Sequence, residues 1–123
     1  MNVRQSVVVR KDLNMSAGLL AAQVAHISAK FVFDTILKTE PKWSIAAQQW
    51  FGSPELAVLS VNTPEELDYI IKQAKDKKIE VTIWRDTIKS DIVGDFLEVV
   101  VGASFGPCDV EVLKQVTGTL PSY

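Results

Sequence analysis

The amino-acid sequence predicts a single α/β domain, and three observations carry that reading. Short runs of β-branched and aliphatic residues alternate along the chain with segments whose apolar residues recur at helical spacing. The 123 residues, 47% hydrophobic and 23% charged, suit one unit large enough to bury its own core. No internal repeat, low-complexity tract or linker divides residues 1–123.

Ser6 to Arg10 is β-branched enough for a buried strand, and it stops at the turn-prone Asp12-Leu13-Asn14. From about Ala17 to Leu37, Leu20, Val24, Ile27 and Phe31 recur at helical spacing and form a stripe that can pack on a sheet. On the same helix Leu19, Gln23, His26 and Lys30 fall on the neighbouring flank, which can edge a pocket while the stripe faces the core. Pro41 followed by Trp43 to Phe51 predicts a shorter helix that ends at Gly52-Ser53-Pro54. Its aromatic residues Trp43, Trp50 and Phe51 read as core or interface anchors rather than stacking platforms for bases.

Leu56 to Val61 is the next strand. Asn62 or Thr63 then caps a helix with Pro64 in its first turn and acidic residues behind it, running to about Lys77. Ile79 to Trp84 alternates as a strand, Leu97 to Val101 supplies another, and Asp109 to Val116 forms a last short helix. Thr87 to Asp95 shows the least defined pattern. Gly102 to Pro107 lacks the Gly-Lys-Ser/Thr end of a phosphate-binding loop and reads as a structural turn.

The formal net charge of −2 and the pI near 5.3 argue against a broadly basic surface for nucleic acid. Lys72, Lys75, Lys77 and Lys78 cluster, but Glu65, Glu66, Asp68 and Asp76 lie among them, as on a solvated helix face. No apolar run approaches the roughly 20 residues of a membrane helix, and Met1 to Ser6 leads into a strand rather than a signal-peptide core. The expectation is a cytoplasmic protein without a membrane partner. The single cysteine, Cys108, offers neither an internal disulfide nor a paired thiolate site for zinc. It stands near a predicted helix N-terminus, where thiolate is favoured, but no Cys-His spacing supports a dyad, and a small buried residue is the plainer reading.

His26 is the one histidine of the chain. Taken alone, it reads as a structural residue with Gln23 as its hydrogen-bonding neighbour, and Asp86 after a strand reads as a turn or helix cap. The surrounding residues say more. Val7-Val8-Val9-Arg10-Lys11-Asp12-Leu13, Met15 and then Ala21-Ala22-Gln23-Val24-Ala25-His26 resemble the opening of the type II peptidyl-tRNA hydrolases. Ile83-Trp84-Arg85-Asp86 is similar to the strand of that family ending in Arg-Asp. Gly106-Pro107 and Lys114-Gln115-Val116-Thr117-Gly118-Thr119-Leu120 resemble its closing segments. The resemblance spans nearly the whole chain in the same order.

It implies a three-layer α/β/α domain over residues 1–123, with a mixed four-stranded sheet. It also implies hydrolysis, without cofactor or metal, of the ester between a peptide and the 3′ ribose of tRNA, by a homodimer whose partner is peptidyl-tRNA. The matched residues take roles accordingly. Asp86 would orient or deprotonate water, His26 would relay a proton or bind the ribose end, and Gln23 would hold the ester carbonyl. Lys30, Lys89 and Ser90 would contact substrate, Lys89 and Ser90 standing where the family has an arginine and a threonine.

Two departures bear on activity. Where the family reads Met-Gly-Lys-Gly-Lys, this chain reads Met15-Ser16-Ala17-Gly18-Leu19, so both lysines are gone; after Arg85-Asp86 the family's Ala-Gly-Arg-Thr-Gln becomes Thr87-Ile88-Lys89-Ser90-Asp91. Leu19 lies one turn before Gln23 and puts an apolar group where an ammonium would stabilise charge, a loss of about 3 kcal/mol for one positioned donor. Two readings therefore stand side by side: a hydrolase of peptidyl-tRNA or a related ester, and a non-catalytic binding module or relative with a different ligand on the same scaffold.

Overall fold

A computed structural model describes residues 2–37, 45–89 and 96–123. Its elements in order are β1 (Val3–Arg10), a single 3-10 turn (Lys11–Leu13), α1 (Ala17–Leu37), α2 (Ile45–Gly52), β2 (Leu56–Val61), α3 (Pro64–Asp76), β3 (Val81–Lys89), β4 (Phe96–Asp109) and α4 (Val110–Thr117). The four strands form one sheet in the order β2-β1-β4-β3. β1 pairs in parallel with β2 and antiparallel with β4, and β3 pairs antiparallel with β4, so the sheet is mixed as expected.

β1 is central and must be apolar on both faces, which is why its run of valines does not alternate with polar residues. Val7 and Val9 pack with Ile27 of α1, and Val3 packs with Phe31 and with Trp50 of α2. Val8 points the other way, into a core with Leu67, Ile70 and Ile71 of α3 and Leu113 and Val116 of α4. Helices therefore cover both faces. Thr63 caps α3 by accepting the Glu66 N–H at 3.1 Å, while Glu66 accepts the Asn62 N–H at 3.0 Å.

The strands run longer than their patterns suggest. β3 continues through Thr87 to Lys89, which pair with Glu98 to Phe96. Gly102 to Pro107 is not a turn but the buried middle of β4. A Cβ at Gly102 would strike the Val8 carbonyl, and Gly106 has φ +87, a backbone that favours glycine. Glycines read as turn signals here mark close backbone approach inside a sheet. Past α4, residues 121–123 run back along β2: Ser60 N–H donates to Pro121 at 2.9 Å, Tyr123 N–H donates to Val58 at 3.1 Å, and Leu59 bridges Ser122. That tail covers hydrogen-bonding groups at the sheet edge. Pro41 and Trp43, expected at the start of α2, lie outside the described residues; Trp50 is an anchor as expected, 6% exposed, with its indole N–H on the Glu55 carbonyl at 3.0 Å.

Among the described residues no helix is long and apolar enough to cross a membrane.

Candidate functional site

The site is built where β1 ends and α1 begins. β1 and β4 stop pairing after Val9 and Gly102, and β4 bulges opposite β3: Trp84 pairs with Gly102 but Arg85 pairs with Val100. Arg10 spans this irregularity. Its Nη1 donates to the Val100 carbonyl at 3.2 Å, while Nε and Nη2 hold the two oxygens of Asp12 at 3.1 and 2.8 Å. This bidentate geometry fixes the turn before α1 to β4, and Asn14, in the left-handed region at φ 51, lets the chain reverse into the helix. The Arg-x-Asp pair is thus a clamp joining two parts of the site.

Strand alternation places Trp84, Asp86 and Ile88 on the face that α1 covers and turns Arg85 and Thr87 away from it. On α1 the buried ridge is Gln23, Ile27, Phe31 and Thr35, each one turn after the last. Gln23 was expected on the pocket flank. Instead it lies in that ridge, 1% exposed, directly above β3.

A chain of hydrogen bonds results. The Trp84 indole N–H donates to Gln23 Oε1 at 2.7 Å, and Gln23 Nε2 donates to Asp86 Oδ2 at 2.8 Å. Asp86 Oδ1 accepts the Thr87 N–H at 2.7 Å. Because indole is only a donor, it dictates which end of the Gln23 amide faces it, and the amide must then present N–H to the carboxylate. The Gln23 hydrogen bond, then the Thr87 N–H and the charge of His26, hold the Asp86 carboxyl below its ordinary 3.8 against an opposing desolvation effect. Asp86 is therefore ionised at neutral pH.

His26 lies one helical turn beyond Gln23 and is exposed. Its ring stacks on Trp84 with centroids 5.1 Å apart and planes inclined by 22°. Gln23, His26 and Asp86 are thus brought together, but Gln23 is not the hydrogen-bonding neighbour of His26 that local spacing offered. Its oxygen and one N–H are engaged within the protein and the side chain is buried, so the bonds it makes position Asp86 and Trp84.

The other expected residues are placed differently. The Lys30 ammonium pairs with Asp34 at 2.7 Å, one turn farther from Gln23. Leu19, one turn before Gln23, is 38% exposed. Lys89 ends β3 opposite Phe96, and Ser90 lies outside the described residues. Cys108 does not gain thiolate character from α4: burial, with the Asp109 charge, pushes its thiol up to about 11. Among the described residues no three or more His, Cys, Asp or Glu side chains gather as a metal site.

Trp84 is the residue that sequence reasoning missed. The available signal was its position two residues before Asp86 on an alternating strand, which requires the two to share a face.

The chain matches the family described as Peptidyl-tRNA hydrolase PTH2 over residues 3–123. It is 35% identical over 122 residues to the peptidyl-tRNA hydrolase of Nanoarchaeum equitans, covering 98% of this chain and 99% of the relative. It is 30% identical over 122 residues to that of Sulfurisphaera tokodaii, covering 98% of each. The peptidyl-tRNA hydrolase of Haloquadratum walsbyi is 30% identical over 121 residues, which span 98% of this chain and 100% of the relative.

Proposed function

The chain belongs to the peptidyl-tRNA hydrolase PTH2 family, and from that premise we propose that it cleaves the ester joining a peptide to the 3′ ribose of tRNA at a site built on Asp86 and His26. The observation that carries this reading is the Gln23 to Asp86 hydrogen bond of 2.8 Å, which holds an ionised carboxylate at the open flank of α1 beside an exposed imidazole. The alternative of a non-catalytic module is not favoured.

The low proton affinity of Asp86 decides how the two groups divide the work. Asp86, with its carboxyl held below the ordinary range, is a poor proton acceptor near neutral pH, so its part is to orient water and offset positive charge. His26 takes the proton as water attacks the ester carbonyl. The tetrahedral intermediate then collapses, the bond from the carbonyl carbon to the ribose oxygen breaks, and the imidazolium returns the proton to that oxygen. The products are a peptide acid and a tRNA with a free 3′ hydroxyl. Gln23 is a positioning residue in this scheme, since its amide holds Asp86 rather than the substrate.

Lys30, Lys89 and Ser90 are assigned to substrate contact. The Lys30 to Asp34 pair is partly exposed, and such pairs are weak enough, at about 0–1 kcal/mol, to yield to a phosphate. We further assign the protein to the cytoplasm and to a homodimer. An apolar groove of about 600 Å³ between α1 and β2, lined by Leu20, Ala21, Val24, Leu56, Val58 and Tyr123, supports the second assignment as a surface that a copy of the chain can cover.

The test is release of peptide from peptidyl-tRNA by purified protein and by Asp86→Asn. The isostere keeps the shape and loses the charge, so hydrolysis should fall about 100-fold or more with the fold intact. A fully active variant would remove Asp86 from the reaction, and a large fall in Tm instead would identify it as a structural residue.

A further inference from the structure

The stack of His26 on Trp84 has an open side. Trp84 lies against the core with Val9, Ile27 and Val101 around it, and its N–H is held by Gln23, so the indole is a fixed floor. His26 covers it with planes 22° apart and centroids at 5.1 Å, yet stays exposed, which leaves the second face of the imidazole toward solvent. A fixed, flat, outward-facing π surface beside an ionised carboxylate is what a planar heteroaromatic ring binds by stacking. With a formal net charge of −2 and Leu19 standing where the family has a lysine, the chain has fewer cations to offer an anionic substrate than a basic protein, so stacking has more to contribute here.

We propose that the outer face of His26, backed by Trp84, is a subsite for the purine base of the substrate's terminal nucleoside, the adenine at the 3′ end of tRNA. This rests on the peptidyl-tRNA reading above and adds to it a binding role for the ring face, separate from the proton chemistry at the ring nitrogens. A base on that face carries its own ribose toward the edge of the imidazole, and so brings the ester oxygen toward His26 and the water held by Asp86. The site would then read the nucleoside through stacking rather than through hydrogen bonds to the base edge, and would accept guanine about as well as adenine but not an abasic ribose.

Two measurements test it. The first needs no turnover: adenosine 5′-monophosphate is titrated into the intact protein while the His26 ring protons and the Trp84 indole proton are followed by NMR, with ribose 5-phosphate as control. Ring-current shifts at His26 with the nucleotide and not with the sugar phosphate are expected; equal responses, or none, overturn the proposal whatever the protein hydrolyses. The second compares N-acetylaminoacyl esters of a CCA trinucleotide and of the same trinucleotide with an abasic terminal ribose. Stacking by one base corresponds to roughly 5- to 150-fold in affinity. The abasic ester should show a KM higher by that factor, His26→Ala should abolish the difference, and His26→Phe should keep it while losing kcat. Equal KM values for the two esters in an active enzyme would refute the subsite and leave the hydrolase reading standing. Nucleotide-specific shifts without hydrolysis of either ester would do the reverse.

Discussion

Replacing Gln23 by Glu exchanges one heavy atom, the amide nitrogen for an oxygen, and should invert the pH dependence of this site. In the native protein Gln23 Nε2 donates to Asp86 Oδ2 at 2.8 Å, and the Asp86 carboxyl is held below 3.8. That depression contributes stability that is present above the unfolded-state value and is lost as pH falls through the lower folded one. In Gln23→Glu the Trp84 N–H still finds an oxygen, but a second carboxylate now faces Asp86. With charge centres about 4 Å apart, an effective dielectric near 20 gives a repulsion of about 4 kcal/mol, which solvent reaching Asp86 screens to about 1–3 kcal/mol. The pair avoids it by keeping one proton, so its upper folded pKa lies above that of an unfolded carboxylate, and the associated stability is present at low pH and lost as pH rises through it. Urea unfolding near pH 4.5 and near pH 8 measures the difference: the variant should lose about 1–3 kcal/mol relative to the native protein on going to the higher pH. Gln23→Leu is the uncharged control, destabilised to a similar extent at both. If the Gln23→Glu deficit is the same at the two pH values, the two side chains are not in contact and the site described here is wrong.

Three further outcomes follow from the same geometry. Trp84→Phe keeps a ring under His26 but leaves Gln23 Oε1 buried without its donor, so urea unfolding should show a loss of about 1–3 kcal/mol, and single-turnover hydrolysis should slow because the amide no longer has a fixed orientation toward Asp86. Arg10→Lys exchanges a planar fork for a point charge and cannot hold Asp12 by two bonds while reaching Val100; a loss of about 1–2 kcal/mol and faster amide exchange near the β4 bulge are expected. Leu19→Lys, at an exposed position one turn before Gln23, should raise hydrolysis about tenfold and make it more salt-sensitive; a folded variant with no gain would show that this ammonium has no place in the present pocket.

Much of the fold was legible because burial periodicity is local. The valine run of β1, the helical spacing from Ala17 to Leu37 and the Thr63-Pro64 start of α3 each depend on residues within one element, and each lies where its pattern predicts. Candidate residues were legible in kind for a different reason. His26 is the one histidine, and the motifs around Gln23 and Asp86 carry a family resemblance that the comparison bears out.

Relations between elements were not legible. Local patterns along the chain are enough to require an α/β sheet with Gln23 and His26 on one helix and Asp86 on one strand. It took the packing of the elements to lay α1 over β3 with Gln23 buried in its ridge, to aim the indole of Trp84 at that amide, and thereby to hold Asp86 ionised. The physical reason is that a hydrogen bond between residues 61 or 63 positions apart is set by how a helix crosses a twisted sheet and where a bulge shifts the register. Neither can be read from a 3.6- or 2-residue period. The same holds at Gly102, where a residue that looks like a turn within its own segment is required by the neighbouring strand's Val8 carbonyl.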